Sequence, residues 1–146
     1  RLGYVIAPKA FIRPMQKLQQ NFFISANAMV QQAGIAALKY GAEDVARMQT
    51  TYNKRRIFMI RRLKEMGLGI TVEPTGAFYV FANAKHISSD SYQLAFDILE
   101  KAHVGVSPGI DFGRNGEGYL RFSYANSMEN IEEGMDRLQR YLEDRA

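Results

Sequence analysis

The chain has 146 residues, of which 47% are hydrophobic, enough to form the core of one ordinary domain or of one domain with part of another. It contains no cysteine, which excludes disulfide bonds and thiolate metal sites. The formal net charge is +4, but 15 acidic residues are interspersed with 19 basic ones, so the charge is only a weak indication of a nucleic-acid or membrane partner.

The sequence contains no segment typical of membrane insertion or secretion. No apolar run approaches the roughly 18 to 20 residues that span a bilayer, and Arg1 opens a strand-like run instead of a signal peptide. We therefore expect a soluble protein without a membrane partner, and the lack of cysteine fits a reducing cytoplasm. Because a structured-looking segment begins at residue 1 without an initiator methionine, we also expect the chain to be a fragment of a longer protein.

The first part of the chain predicts one strand and two helices. Leu2–Ala7 is a short apolar run closed by Pro8, which is typical of a strand buried on both faces of a parallel sheet. The composition from Ala10 to Tyr40 is helical, but residues 25–27 favour helix caps and divide it into two helices. Gly41 is placed to end the second helix.

The clearest helix is predicted over Glu43–Met66, with Gly67 as its stop signal. Its apolar residues recur at three- and four-residue spacing; they are Val45, Met48, Tyr52, Met59, Ile60, Leu63 and Met66. A helix of about 24 residues is about 36 Å long, which suits an element that joins two bodies. Arg56 lies within the apolar stripe and must either extend its charged end to solvent or find a partner at an interface. Four other basic residues predict a solvated face; they are Lys54, Arg55, Arg61 and Arg62.

The second half of the chain predicts strands and helices in the order ββαββα. The strands are predicted over Ile70–Val72, Gly76–Phe81, Val104–Ser107 and Tyr119–Ala125, and the helices over Tyr92–Ala102 and from Met128 onward. The apolar face predicted for the first of these helices consists of Tyr92, Ala95, Phe96, Leu99 and Ala102. Asn126 with Glu129 resembles a capping box for the last helix. This order predicts an α/β fold with a small mixed sheet and helices packed on it.

Arg121 is the most informative candidate for a binding residue. Alternation within Tyr119–Ala125 places Leu120 and Phe122 on one face of the strand and Arg121 on the other. An arginine in mid-strand needs a partner, and its planar fork binds a carboxylate through two parallel hydrogen bonds, which suits a substrate acid. The residues alone leave two alternatives open: a structural ion pair with Asp or Glu, or simple exposure on an open sheet face.

Three other features are weaker indications of a site. Arg1 precedes an apolar run, at a strand end of the kind where α/β proteins bind ligands, but a terminal arginine is usually solvated. The glycine-rich segment Gly113–Gly118 leads into a strand and not a helix, which favours a turn over a phosphate-binding loop. His86 and His103 do not belong to a cluster typical of metal ligands, so we assign no metal.

Four segments, in this order along the chain, resemble the fold-type I aminotransferases of class I/II, which use pyridoxal 5'-phosphate, especially the bacterial and archaeal aspartate and aromatic enzymes. They are Arg1–Tyr4 (RLGY), Pro74–Tyr79 (PTGAFY), Pro108–Gly113 (PGIDFG) and Gly118–Ala125 (GYLRFSYA). The last two in succession are the most specific, and the resemblance covers essentially the whole chain. It implies the C-terminal part of such an enzyme, with the Schiff-base lysine upstream of Arg1, so we expect no catalytic residue in this chain and no activity from the chain alone.

The resemblance implies roles for three residues. Arg1 corresponds to the arginine that binds the cofactor phosphate, Arg121 to the arginine that binds the substrate α-carboxylate, and Phe78 to a residue that lines the substrate pocket. It also implies that residues 1–42 are a remnant of the large cofactor-binding domain and that residues 43–146, including the connecting helix 43–66, are the C-terminal small domain. Since members of the family are homodimers with shared active sites, we expect a homodimer that binds an amino acid and a 2-oxo acid.

The amino donor and the reaction stay open. Aspartate-specific members of the family use a further arginine after the motif that contains Arg1, and Asn21–Tyr40 contains none. The donor is therefore aspartate bound in another way, or an aromatic or small neutral amino acid. A β-lyase on the same fold would share both arginines and differ only in reaction course.

An alternative outside this family is a basic module that binds single-stranded nucleic acid on an aromatic sheet. The features in its favour are Tyr79, Phe81, Tyr119 and Phe122. The basic residues do not interleave with these aromatic residues along the sequence, so we expect no nucleic-acid partner.

Overall fold

The computed structural model describes residues 1–145. The chain forms two compact units, Arg1–Met48 and Gln49–Ala146. The second unit contains a three-stranded sheet with helices packed on it, which confirms the predicted α/β fold class. No helix within residues 1–145 is long and apolar enough to cross a membrane.

The first unit contains two complete helices, α1 (Lys9–Phe22) and α2 (Ala28–Tyr40). The predicted break between them is confirmed, because the Asn27 side chain caps α2 by accepting a hydrogen bond of 2.8 Å from the backbone N–H of Met29. Gly41 ends α2, as predicted. Neither helix buries a residue within the described chain, so the apolar side chains of this unit are largely exposed.

The strand predicted over Leu2–Ala7 does not form, and this prediction is wrong. These residues have irregular backbone before α1. A strand needs a neighbouring strand with which to exchange backbone hydrogen bonds, and the strands described in residues 1–145 all lie between Tyr79 and Ser123, in the other unit. An apolar run alone therefore does not make a strand here.

The remaining elements follow in chain order. They are α3 (Ala42–Glu65), β1 (Tyr79–Asn83), α4 (Ser91–Ala102), β2 (Ser107–Pro108), β3 (Tyr119–Ser123) and α5 (Met128–Glu143). Two short 3₁₀ helices, Gly109–Phe112 and Arg114–Gly116, connect β2 to β3. The long predicted helix is confirmed as α3, which has 24 residues and is followed by Gly67 in a left-handed conformation with φ of 82°.

The sheet has the strand order β1-β3-β2, and both strand pairs are antiparallel, whereas the sequence predicted a mixed sheet. A parallel pair needs a crossover between its strands, and the short connection from β2 to β3 instead reverses the chain. The prediction of a strand over Ile70–Val72 is wrong, because Gly69 pairs with the sheet and the residues after it do not. The N–H of Gly69 donates to the carbonyl of Asn83 in β1 at 3.0 Å, and the N–H of Asn83 donates to the carbonyl of Gly69 at 2.7 Å. Val72 beyond it is exposed.

The buried face of α4 matches the predicted one only in part, since Ala95 and Ala102 are buried as predicted but the larger side chains are not. Tyr92, Phe96 and Leu99 are exposed, whereas Leu94 and Ile98 are buried in the core. The helix carries apolar residues around more than one side, so periodicity does not decide which side packs against β2 and β3. The choice depends on contacts between residues that are distant in sequence.

Two local predictions for the helices also need correction. α5 is capped by Ser127, whose Oγ accepts from the Asn130 N–H at 3.2 Å, and not by Asn126. The side chain of Asn126 instead accepts from the N–H of Ser127. Arg62 was assigned to a solvated face, but its side chain is 14% exposed and its Nη2 lies 2.8 Å from Asp136 of α5. Of the two alternatives for Arg56, the structure shows a partner, since Arg56 donates a hydrogen bond to the carbonyl of Pro74.

Candidate functional site

Arg121 lies at the centre of the sheet. β3 is the middle strand, and Arg121 is in register with Phe81 of β1 and Ser107 of β2. Leu120 and Phe122 are buried in the core, so the alternation of the strand directs Arg121 to the opposite, outer face, as predicted. The residue is half-buried there.

Three side chains contact the guanidinium of Arg121. Its Nη2 donates a hydrogen bond of 3.2 Å to Ser107 Oγ. Its Cζ lies 4.2 Å from the ring centroid of Tyr79 and 4.5 Å from that of Phe112. No Asp or Glu within residues 1–145 forms an ion pair with Arg121, so the structural ion pair considered from the sequence is not found there. The positive charge is therefore available to an anionic ligand.

The aromatic contacts continue across the outer face of the sheet. The rings of Phe112 and Phe81 pack edge to face, with their centroids 5.9 Å apart. The rings of Phe81 and Tyr119 are stacked, with their centroids 5.0 Å apart and an interplanar angle of 4°. Lys85 Nζ lies 5.3 Å from the Tyr119 ring. Lys85 and Arg121 thus lie beside these aromatic rings in space, although the basic and aromatic residues do not interleave along the sequence. Phe122 is buried, however, and does not belong to the nucleic-acid face considered above.

The loop that carries Phe112, residues 109–118, has a compact conformation that requires glycine at two positions. A Cβ on Gly109 would clash with the carbonyl oxygens of Gly116 and Tyr119, and a Cβ on Gly116 would clash with the carbonyl oxygen of Gly109. Only glycine permits two backbone segments to approach this closely. The segment Gly113–Gly118 forms a compact turn between strands, and it leads into β3 and not into a helix.

Glu117 ties this loop to the start of α4. Its Oε1 accepts hydrogen bonds from the backbone N–H of Ser91 at 2.7 Å and of Gly118 at 3.0 Å. The Oγ of Ser91 in turn accepts from the N–H of Ile110 at 3.1 Å. The pKa of the Glu117 carboxyl lies below its ordinary value, because hydrogen-bond donors stabilise its ionised form. The backbone N–H of Ser91 contributes most, and the Ser91 side chain and the backbone N–H of Gly118 contribute less.

Replacement of Glu117 by glutamine is expected to destabilise the chain and to flatten its acid unfolding. A carboxyl with a lowered pKa in the folded state stabilises the fold above its unfolded pKa, near 4.5, and this contribution is lost as the pH falls through the folded pKa. Urea unfolding between neutral and acidic pH measures the effect. Glu132→Gln, at an exposed position on α5, is the matched control. An equal pH dependence in Glu117→Gln and the wild type would contradict the assignment.

The other two predicted site residues are Arg1 and Phe78. Arg1 is exposed in the first unit, and no hydrogen bond or ion pair within residues 1–145 engages its guanidinium. Phe78 is packed against the core, and its ring centroid lies 5.9 Å from that of Tyr52 of α3; the aromatic contacts of Arg121 found in residues 1–145 are with Tyr79 and Phe112 instead. Its ring does lie 4.5 Å from that of Tyr79. The role of Phe78 in a substrate pocket stays a prediction.

Within residues 1–145, no group of three or more His, Cys, Asp and Glu side chains is arranged to hold a metal ion.

The family model described as "Aminotransferase class I and II" matches residues 1–138 of the chain. The chain belongs to this family.

Its relatives in the class I and II aminotransferase family are similar along almost the whole chain. An aspartate aminotransferase from Pyrococcus horikoshii is 45% identical over 146 residues, which are 98% of this chain and 37% of the relative. A (5-formylfuran-3-yl)methyl phosphate transaminase from Methanocaldococcus jannaschii is 39% identical over 97% of this chain and 38% of its own length. The crystal structure of an aromatic aminotransferase from Pyrococcus horikoshii matches with a TM-score of 0.87 and 39% identity, over 95% of this chain and 38% of that one. The chain thus spans a little over a third of the length of these relatives.

The neighbours of Arg121 in this aminotransferase chain do not follow from sequence patterns. Tyr79 and Phe112 lie within the family segments PTGAFY and PGIDFG, but their contact with Arg121 depends on strand register and on the 3₁₀ helix after β2. Ser107 gave no signal of its own. The motifs could have identified the two aromatic residues as candidates but not the side chain that they contact.

Proposed function

We propose that this chain is part of a pyridoxal 5'-phosphate-dependent aminotransferase that exchanges an amino group between an amino acid and a 2-oxo acid, and that Arg121 binds the substrate α-carboxylate. The observation that carries the proposal is the half-buried guanidinium on the outer face of the sheet, which contacts two aromatic rings and a hydroxyl but no acid in residues 1–145. Membership of the family supports the reaction.

Arg121 would fix the substrate by its one obligatory acid group. A guanidinium and a carboxylate form two parallel hydrogen bonds, which set the direction of the bond from the carboxylate carbon to Cα. Holding this direction constant keeps the reacting bond in one orientation and replaces a chance encounter by a positioned one. The nearby aromatic rings limit the access of water to the ion pair and so strengthen it.

Arg1 would hold the phosphate of the cofactor. Its guanidinium is exposed and has no partner in residues 1–145, and its charge and planar donors fit a phosphate dianion. When bound, pyridoxal phosphate supplies an electron sink for the negative charge that develops at the substrate Cα. The lysine that would carry the cofactor is expected upstream of Arg1, so the chain alone is expected to be inactive.

The same proposal includes a division into two domains, a second subunit and a cellular compartment. Residues 1–42 would be part of the large cofactor-binding domain, and residues 43–146 would form the small domain. A second subunit would complete the active site, and the exposed apolar side chains of residues 1–48 are suited to contacts outside this chain. We place the enzyme in the cytoplasm, without a membrane or nucleic-acid partner.

The donor is aspartate or an aromatic or neutral amino acid. Some of the relatives are named for aspartate and others for aromatic substrates, and Asn21–Tyr40 contains no arginine for a second carboxylate. A β-lyase is the second candidate, because it would use Arg121 in the same way. The two reactions differ in product: a transaminase gives the 2-oxo acid with the carbon skeleton of the donor, whereas a lyase releases ammonia.

The test uses the full-length protein that contains this chain. Incubated with pyridoxal phosphate, it is expected to show a visible absorbance band of bound cofactor that changes when an amino acid is added, and to form glutamate when 2-oxoglutarate is the acceptor. The chain of 146 residues alone is the control and is expected to do neither. No band with the cofactor in excess would disprove the proposal, and ammonia release without glutamate would favour the lyase.

A further inference from the structure

Two aromatic rings lie beside Arg121 where a half-buried arginine often has an acid. Tyr79 at the start of β1 and Phe112 at the end of the first 3₁₀ helix have ring centroids 4.2 and 4.5 Å from its Cζ. Aromatic ring faces attract the guanidinium, and they do so without neutralising its charge. An acid in their place would compete directly with a substrate carboxylate for the same group.

Contact with a ring also leaves the hydrogen-bond donors of arginine unused. The N–H groups point outward in the plane of the guanidinium, whereas ring stacking uses its faces. Only one hydrogen bond of this guanidinium is found within residues 1–145, from Nη2 to Ser107 Oγ. The rings can therefore restrict the motion of the guanidinium while most of its donors stay available for a carboxylate.

The two rings are themselves supported by other side chains. Phe112 meets Phe81 edge to face at 5.9 Å, and its loop is fixed by the contact between Gly109 and Gly116. Tyr79 lies 4.5 Å from Phe78, which packs against the core. An arginine side chain loses much rotamer freedom when it binds a ligand, and holding it in place beforehand reduces that loss.

We propose that Tyr79 and Phe112 are positioning residues, which hold the guanidinium of Arg121 in the orientation that binds the substrate α-carboxylate. The proposal rests on the proposed role of Arg121. It assigns the two residues an effect on carboxylate binding that depends on an aromatic ring at each position and not on apolar volume alone.

The test measures binding of a substrate-like acid that cannot react. The probe is 3-phenylpropionate, which has a carboxylate but no amino group, and 3-phenylpropionamide is its uncharged counterpart. Dissociation constants for both are measured by calorimetry on the full-length protein with pyridoxal phosphate. The variants Phe112→Leu and Tyr79→Leu remove a ring, whereas Phe112→Tyr and Tyr79→Phe keep it. Phe96→Leu, at an exposed aromatic position on α4, is the matched control.

Each leucine variant is expected to bind the acid about tenfold more weakly, as the loss of a desolvated cation–ring contact implies, with binding of the amide unchanged. The variants that keep the ring and Phe96→Leu should bind both probes as the wild type does. Leucine variants that prefer the acid over the amide as strongly as the wild type would overturn the positioning role, and so would equal losses in Phe112→Tyr and Phe112→Leu. A wild-type protein that binds acid and amide equally would instead refute the role of Arg121 itself, and the positioning proposal with it.

Discussion

Replacing Arg121 by alanine in the full-length protein is expected to lower kcat/KM for the amino donor about a thousandfold, equivalent to about 4 kcal/mol. The substitution removes the charge and the two hydrogen bonds that we propose for the substrate carboxylate, and it would leave that anion beside two aromatic rings. Steady-state kinetics of amino transfer measure the loss, and an increased KM is expected to account for much of it.

Arg121→Lys should give an intermediate loss, because lysine keeps the charge but not the planar pair of donors. Arg140→Ala, at an exposed position on α5, is the control for removal of an arginine and should leave kcat/KM unchanged. The thermal unfolding temperature of each variant separates loss of binding from loss of fold. If Arg121→Ala retained the activity of the wild type, Arg121 would have no part in substrate binding.

The orientation of Arg121 was predictable because it depends on local structure alone. Strand alternation around Leu120 and Phe122 directs it to the outer face in any sheet that buries those two residues. The cap at Asn27 and the stop at Gly67 were predictable for the same reason, since each depends on a few consecutive residues. The family resemblance added the substrate carboxylate, which alternation alone does not indicate.

The features that sequence reasoning missed depend on contacts between distant residues. Leu2–Ala7 has the composition of a buried strand but no neighbouring strand in its unit. α4 has apolar residues on several sides, and packing against the sheet decides that Leu94 is buried and Phe96 is exposed. The contacts of Tyr79 and Phe112 with Arg121 likewise need strand register and loop conformation, which single-sequence patterns do not provide.

Gly109→Ala is expected to destabilise the second unit by about 3 kcal/mol, because it places a methyl group against backbone atoms that cannot move aside like a flexible side chain. The new Cβ would clash with the carbonyl oxygens of Gly116 and Tyr119, at the start of the loop that carries Phe112. Urea unfolding of the chain measures the loss of stability. Activity of the full-length variant reports in addition whether displacement of the loop disturbs substrate binding.

The chain offers two matched controls for this substitution. A Cβ on Gly105, in the connection between α4 and β2, would meet no atom within 4 Å, so Gly105→Ala should be nearly neutral. A Cβ on Gly134 of α5 is equally free, and Gly134→Ala should stabilise the chain by about 1 kcal/mol, because alanine favours the helix over glycine. If Gly109→Ala unfolded at the same urea concentration as Gly105→Ala, the close approach of Gly109 and Gly116 would not be required for the loop. A loss of stability found only in Gly109→Ala would instead indicate that this single backbone contact fixes the position of Phe112, and with it the environment of Arg121.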